Sequence, residues 1–115
     1  MRFFQFLLLC LILNNGFSQE NYMTKYAGEY IIKIEGVNTN DIEKYILKPN
    51  GECIWKWETG RYPDTKFGRW SAEKGKIKTV NKGKSGDIPE VFTYINGKFR
   101  SEYGNDRVLI KVKSL

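Results

Sequence analysis

The chain reads as all-β: eight short antiparallel strands in an up-and-down meander that closes into a small barrel. Three observations predict it. Short runs of alternating apolar and polar residues recur roughly every 8–12 residues, with turn chemistry between them. No stretch after the first few residues carries a long helical periodicity. Two of the turns, Pro49-Asn50-Gly51 and Asn96-Gly97, are hairpin signals that also set register.

The runs cover residues 28–34, 43–48, 52–58, 66–72, 76–80, 90–95, 98–103 and 107–113. Residues 19–26 precede the first strand as a short helix or a plug. In the first hairpin a three-residue loop pairs Leu47 with Cys53 and Tyr45 with Trp55. A two-residue loop would set Lys48 opposite Cys53 and break the apolar face, so the longer loop is preferred. Asn96-Gly97, read as a two-residue turn, pairs Tyr94 with Phe99 and Phe92 with Ser101. The other face then carries Val91, Thr93, Lys98, Arg100 and Glu102 toward water. Extending this parity predicts an inward set of Tyr30, Ile32, Tyr45, Leu47, Trp55, Trp57, Trp70, Ile77, Phe92, Tyr94, Phe99, Val108 and Ile110. An eight-stranded barrel has an interior just wide enough to be filled by side chains or to hold one small ligand.

The N-terminus predicts export. Met1-Arg2 is a short positive start, Phe3 to Leu13 is almost unbroken apolar sequence, and Gly16-Phe17-Ser18 offers small residues at a cleavage site. This is the layout of a signal peptide over 1–18, too short to span a bilayer, with a single domain over 19–115. Destination is the periplasm or the medium. Cleavage removes Cys10, one of the two cysteines, so Cys53 has no intramolecular disulfide partner. Leu9 before Cys10 argues against lipidation there, and no second apolar segment is long enough for a membrane span. All three tryptophans and all seven tyrosines fall after residue 18, as do Phe67, Phe92 and Phe99, which gives so small a domain much of its buriable surface.

Several residues carry a resemblance. The order Tyr26-Ala27-Gly28-Glu29-Tyr30, Leu47-Lys48-Pro49-Asn50-Gly51, Gly68-Arg69-Trp70 and Gly75-Lys76-Ile77 resembles small exported lipocalin-like barrels, among them the N-terminal barrel of the NlpE envelope lipoproteins and secreted proteins of Bacteroidetes-type bacteria. The resemblance covers most of the chain after residue 18 and implies the barrel fold and export. It implies no site residue. The Cys-x-x-Cys pair of NlpE-type barrels is absent, and Gly68-Arg69-Trp70 falls mid-chain rather than on the first strand as in true lipocalins.

Little in the sequence points to catalysis. With no histidine, Ser-His-Asp and Cys-His arrangements and the commonest zinc ligand are excluded. Cys53 is predicted to face inward beside Leu47 as an inert thiol. Glu52 and Glu58 share a face but stand roughly 20 Å apart along a strand, as do Glu29 and Glu35. Asp41 and Glu43 fall at a polar loop that lacks the spacing of a calcium loop. Gly83-Lys84-Ser85 lacks the first glycine of a phosphate loop, because Lys78 stands there. No cofactor and no metal is expected, and the chain is read as a non-enzyme.

Two binding features remain. Trp55, Trp57 and Trp70 fall on neighbouring strands, and with Tyr30, Tyr45 and Tyr94 they could wall a site for a small apolar ligand, a tyrosine hydroxyl orienting it. Lys74, Lys76, Lys78, Lys82 and Lys84 form a basic hairpin edge, and the formal net charge of the full chain is +6. Such an edge keeps a strand soluble or meets an anionic envelope lipid, an acidic glycan or a protein partner. Nucleic acid is disfavoured by export and by the inward placement of the aromatics. The leading expectation is a monomeric, exported, non-catalytic binding protein for a small apolar ligand. The alternative is an envelope or partner-interaction protein using its basic face, and an enzyme comes third.

Overall fold

The computed structural model describes residues 22–38 and 40–115, so the predicted signal peptide, its cleavage site and Cys10 lie outside the described residues. The eight strands are β1 (Gly28–Ile34), β2 (Glu43–Leu47), β3 (Glu52–Trp57), β4 (Asp64–Glu73), β5 (Lys76–Gly83), β6 (Gly86–Ile95), β7 (Lys98–Ser101) and β8 (Gly104–Ser114). They pair in sequence order and β8 returns antiparallel to β1, so the barrel is closed. Among the described residues no helix is long and apolar enough to cross a membrane.

Both hairpin registers follow from their turns. Leu47 pairs with Cys53 and Tyr45 with Trp55. Tyr94 pairs with Phe99 and Phe92 with Ser101. Asn96 (φ 52°) and Gly97 (φ 82°) both take left-handed backbone, the geometry of a turn whose twist matches the flanking strands.

The meander puts the turns around residues 48–51, 74–75 and 96–97 at one end, with the helical turn 22–26 that plugs it. Tyr26 meets Phe99 edge-on at 5.0 Å and accepts a hydrogen bond from the Gly75 amide. Behind this plug Leu47, Ile77 and Phe92 are fully buried, with Tyr30, Cys53 and Trp70 beside them. This half of the interior is filled.

The other end is flared. β4 pairs with β5 only from Gly68↔Asn81 onward, so residues 64–67 pair with β3 alone and 82–83 with β6 alone. Likewise β1–β2 pairing stops at Ile31↔Lys44, and residues 32–34 pair with β8 alone. Gly68 stands where β4 and β5 part. A Cβ there would lie 1.9 Å from the Val80 carbonyl oxygen, so the two backbones approach more closely than any side chain allows.

Two expectations are corrected. Val108 and Ile110 do not face inward: Leu109 pairs with Ile32 and Phe99, so Arg107, Leu109 and Lys111 take the inner face. Val108-Leu109-Ile110 is an unbroken apolar run that alternation can phase either way, and the barrel closure selects the phase with fewer apolar residues. Val108 is nonetheless buried on the outer wall, paired with Lys33 on one side and Arg100 on the other. Tyr94 keeps the predicted parity and contacts Phe99, but sits at the strand end and is 54 % exposed. The β5–β6 hairpin is also longer than the sequence pattern indicates, reaching Gly83↔Gly86, because its inward positions there are polar.

Gly68→Ala is expected to destabilise the protein by about 1–3 kcal/mol through overpacking against Val80, read as a lower midpoint in urea unfolding with an unchanged slope.

Candidate functional site: a charged network at the flared end

The inner wall changes character halfway along the barrel. Alternation from Phe92 places Glu90 inside, and alternation from Ile77 places Thr79 and Asn81 inside. From β2 comes Glu43, from β7 Ser101 and from β8 Arg107. These side chains converge.

Arg107 is the hub. Its Nε donates to Glu90 Oε2 at 2.7 Å and its Nη2 to Glu90 Oε1 at 3.1 Å. Nη1 donates to Glu43 Oε1 at 2.7 Å and Nη2 to Glu43 Oε2 at 2.5 Å. Glu90 also accepts from Tyr45 Oη at 3.0 Å and Ser101 Oγ at 2.7 Å, so both of its oxygens are doubly engaged. Glu43 accepts from Trp55 Nε1 at 2.7 Å, and Lys66 Nζ lies 4.9 Å from the centre of the Trp55 ring.

Burial acts against the Arg107 charge, but the hydrogen bonds and charges of Glu43 and Glu90 outweigh it and raise its pKa above the usual value. The Tyr45 hydroxyl is raised above its usual value by burial and by the Glu90 charge. The network is therefore locked as a cation between two acceptors.

One atom is left over. Among the described residues Asn81 Oδ1 is the one buried side-chain polar atom with no hydrogen-bond partner, and Asn81 is 4 % exposed. Its Nδ2 donates to Tyr45 Oη at 3.4 Å. The free acceptor sits one inward position from Gly83, which with Asp64, Lys66 and Ile88 lines a cleft of about 360 Å³ where β4 and β5 part. A second cleft of about 180 Å³, between Ile32, Ile34 and Glu43, opens beneath the β1–β2 loop. The flared end thus carries two surface clefts, a buried acceptor without a donor, and the half-buried indoles of Trp55 and Trp57.

The aromatic residues singled out in the sequence do not form one group. Trp55, Trp57 and Tyr45 belong to the flared end. Trp70 donates from Nε1 to the Lys48 carbonyl at 2.7 Å and braces the β2–β3 turn. Tyr30 donates to the Tyr26 carbonyl at 2.6 Å beside the plug, and Tyr94 lies at that same end. Burial pushes the Cys53 thiol up to about 12. Lys76, Lys78 and Lys82 project outward along β5, with Lys74 and Lys84 in the turns at its ends, so the five lysines form a line rather than a cluster. Lys78 pairs with Glu73 at 3.5 Å.

Sequence reasoning missed Glu90, Asn81 and Arg107, set Glu43 aside as part of a polar loop, and placed Ser101 opposite Phe92 without giving it a role. Parity carried from Ile77 and Phe92 would have put Asn81 and Glu90 inside, whereas Arg107 was hidden by the phase of β8. Comparison with protein-family models, with curated proteins and with solved structures finds no match.

Arg107→Met leaves two buried carboxylates without their cation and is expected to cost about 3–5 kcal/mol of stability. Adding Glu43→Gln and Glu90→Gln should restore much of it, checked by urea unfolding of both variants.

The buried acids give a pH dependence. Burial raises Cys53 from 9.0 to about 12, and burial with the neighbouring Tyr26 raises Tyr30 from 10.0 to about 12. Folding favours their neutral forms, so this stability is complete below about pH 9 and is lost as pH climbs toward about 12. Unfolding midpoints measured from pH 7 upward should fall in that alkaline window, and Cys53→Ala should flatten its lower part.

Proposed function

We propose that the protein is an exported, non-catalytic barrel of lipocalin-like type that binds one small ligand at its flared end. The observation that carries this reading is the buried, unpartnered acceptor of Asn81 beside a saturated charged network. A buried ion network costs desolvation that an apolar core of the same volume avoids, so it is poor value as packing alone. An unsatisfied buried acceptor adds a further penalty of about 1–3 kcal/mol, which a bound donor removes.

The ligand chemistry follows from the walls. Trp55 and Trp57 suit an apolar face, and Asn81 requires a hydroxyl or amine hydrogen at the buried tip. The apolar ligand expected from the sequence is thereby narrowed to one with a donor group at one end. The filled half of the barrel behind Phe92 limits its depth.

Catalysis has one point in its favour, two carboxylates that meet across strands. Glu43 and Glu90 are both engaged by Arg107, however, and both oxygens of Glu90 are already doubly hydrogen-bonded. A hydrolytic pair needs one member free as an acid.

Native mass spectrometry of the protein purified without detergent from its native host tests the reading. A stoichiometric adduct lost on denaturation is expected, and Asn81→Leu should abolish it while leaving the protein folded. A bare chain mass for the wild type, or an adduct that survives both Asn81→Leu and Trp55→Ala, would overturn the proposal.

A further inference from the structure

The outer wall of β3, β4 and β5 is unlike the rest of the surface. Alternation turns Ile54, Phe67 and Val80 outward, and Ile54 pairs directly with Phe67 across the strands. Phe67 is 63 % exposed and Val80 40 %. Around this apolar centre stand Lys56, Arg69, Lys76 and Lys82, none of which has a carboxylate partner among the described residues. Between them lies a depression of about 440 Å³ whose floor includes Ile54 and Phe67 and whose rim carries Arg69 and Lys82 beside Lys48, which is paired with Glu52 at 3.6 Å. Across the barrel Lys98 and Arg100 are cancelled in place by Glu35, whose carboxyl is held down at about 2 by the Arg100 and then the Lys98 hydrogen bond, while Lys33 on that wall stands apart from any apolar anchor.

We propose that this wall docks the protein on the surface of an anionic lipid bilayer. Cations free of internal partners lose nothing when they meet lipid phosphates, whereas Lys98 and Arg100 would first have to release Glu35. Phe67 supplies the apolar anchor, since an aromatic ring flanked by cations suits the interface between headgroups and acyl chains. Arg69 and Lys82 at the rim of the depression meet the lipid phosphates. Because Phe67 and the unpaired Arg69, Lys56 and Lys82 share one wall, the barrel lies with β3–β5 toward the membrane. None of these outward side chains belongs to the inner network, so docking and the occupancy of the flared end are separable.

Co-sedimentation tests this with vesicles of phosphatidylcholine alone and with about one third phosphatidylglycerol added. Binding is expected only to the anionic vesicles, falling steeply as salt rises toward physiological strength. Arg69→Gln with Lys82→Gln should lower the partition coefficient roughly tenfold or more. Phe67→Ser, which keeps every charge and alters an exposed side chain, should weaken binding with an unchanged unfolding midpoint. Lys33→Gln on the far wall should bind as wild type. Equal sedimentation with both vesicle types would overturn the proposal. So would a Lys33→Gln loss equal to that of Arg69→Gln. Retention on heparin together with indifference to Phe67→Ser would assign the wall to an acidic polymer instead.

Discussion

The Arg107 guanidinium between Glu43 and Glu90 is the interaction on which the upper half of this barrel depends. It joins β8 to β2 and to β6, strands that are not neighbours in the wall, across an interior only a few side chains wide. A charge placed there is largely withdrawn from water, so partners drawn from several strands replace its hydration. Tyr45, Ser101 and Trp55 complete the acceptors' shells, and each of them is thereby held in place. The phase of β8 follows from the same constraint. Turning Arg107 outward would expose it to solvent but would strand two buried carboxylates.

The barrel is therefore two different interiors in one wall. Toward the plug, aromatic and aliphatic side chains fill the space, and the hydrogen bonds of Tyr30 and Trp70 serve to close turns and ends. Toward the flare, the strands separate on two sides and polar groups replace the apolar ones. Strand separation and polarity go together for a simple reason: water or a ligand reaching the splayed backbone must be met by groups that hydrogen-bond. The same Gly68 that lets β4 and β5 approach so closely marks where their ladder begins. One glycine thus sets the boundary between the two regimes.

The outside is divided as well. On the β3–β5 wall, Lys56, Arg69 and Lys82 flank exposed apolar residues with no carboxylate partner among the described residues, although Lys48 and Lys78 are paired with Glu52 and Glu73. On the opposite wall, Glu35 gathers Lys98 and Arg100 and helps cover Val108. A basic chain could have spread its charge evenly, and this one does not. The lysine line along β5, conspicuous in the sequence, is only one edge of that wall. Arg69 and Phe67, which drew no notice as isolated residues, lie at its centre.

Much of the architecture was legible in the order of residues. Alternation with period two located eight strands, and the left-handed demands of Asn96-Gly97 and the Pro49-Asn50-Gly51 loop set two registers without reference to anything distant. Those are local properties, decided by backbone sterics within a few residues. The phase of Val108-Leu109-Ile110 was not local, because three adjacent apolar residues satisfy either face and only the fit to β1 and β7 distinguishes them. Nor was the network legible: Glu43, Glu90 and Arg107 are each ordinary charges at the ends of the runs read in sequence, Arg107 lying 17 positions from Glu90 and 64 from Glu43. By itself the sequence determined the strands, their turns and the apolar half of the core. The tertiary structure alone decided which charges face inward, because an ion becomes a partner or a liability only when closure removes the water around it.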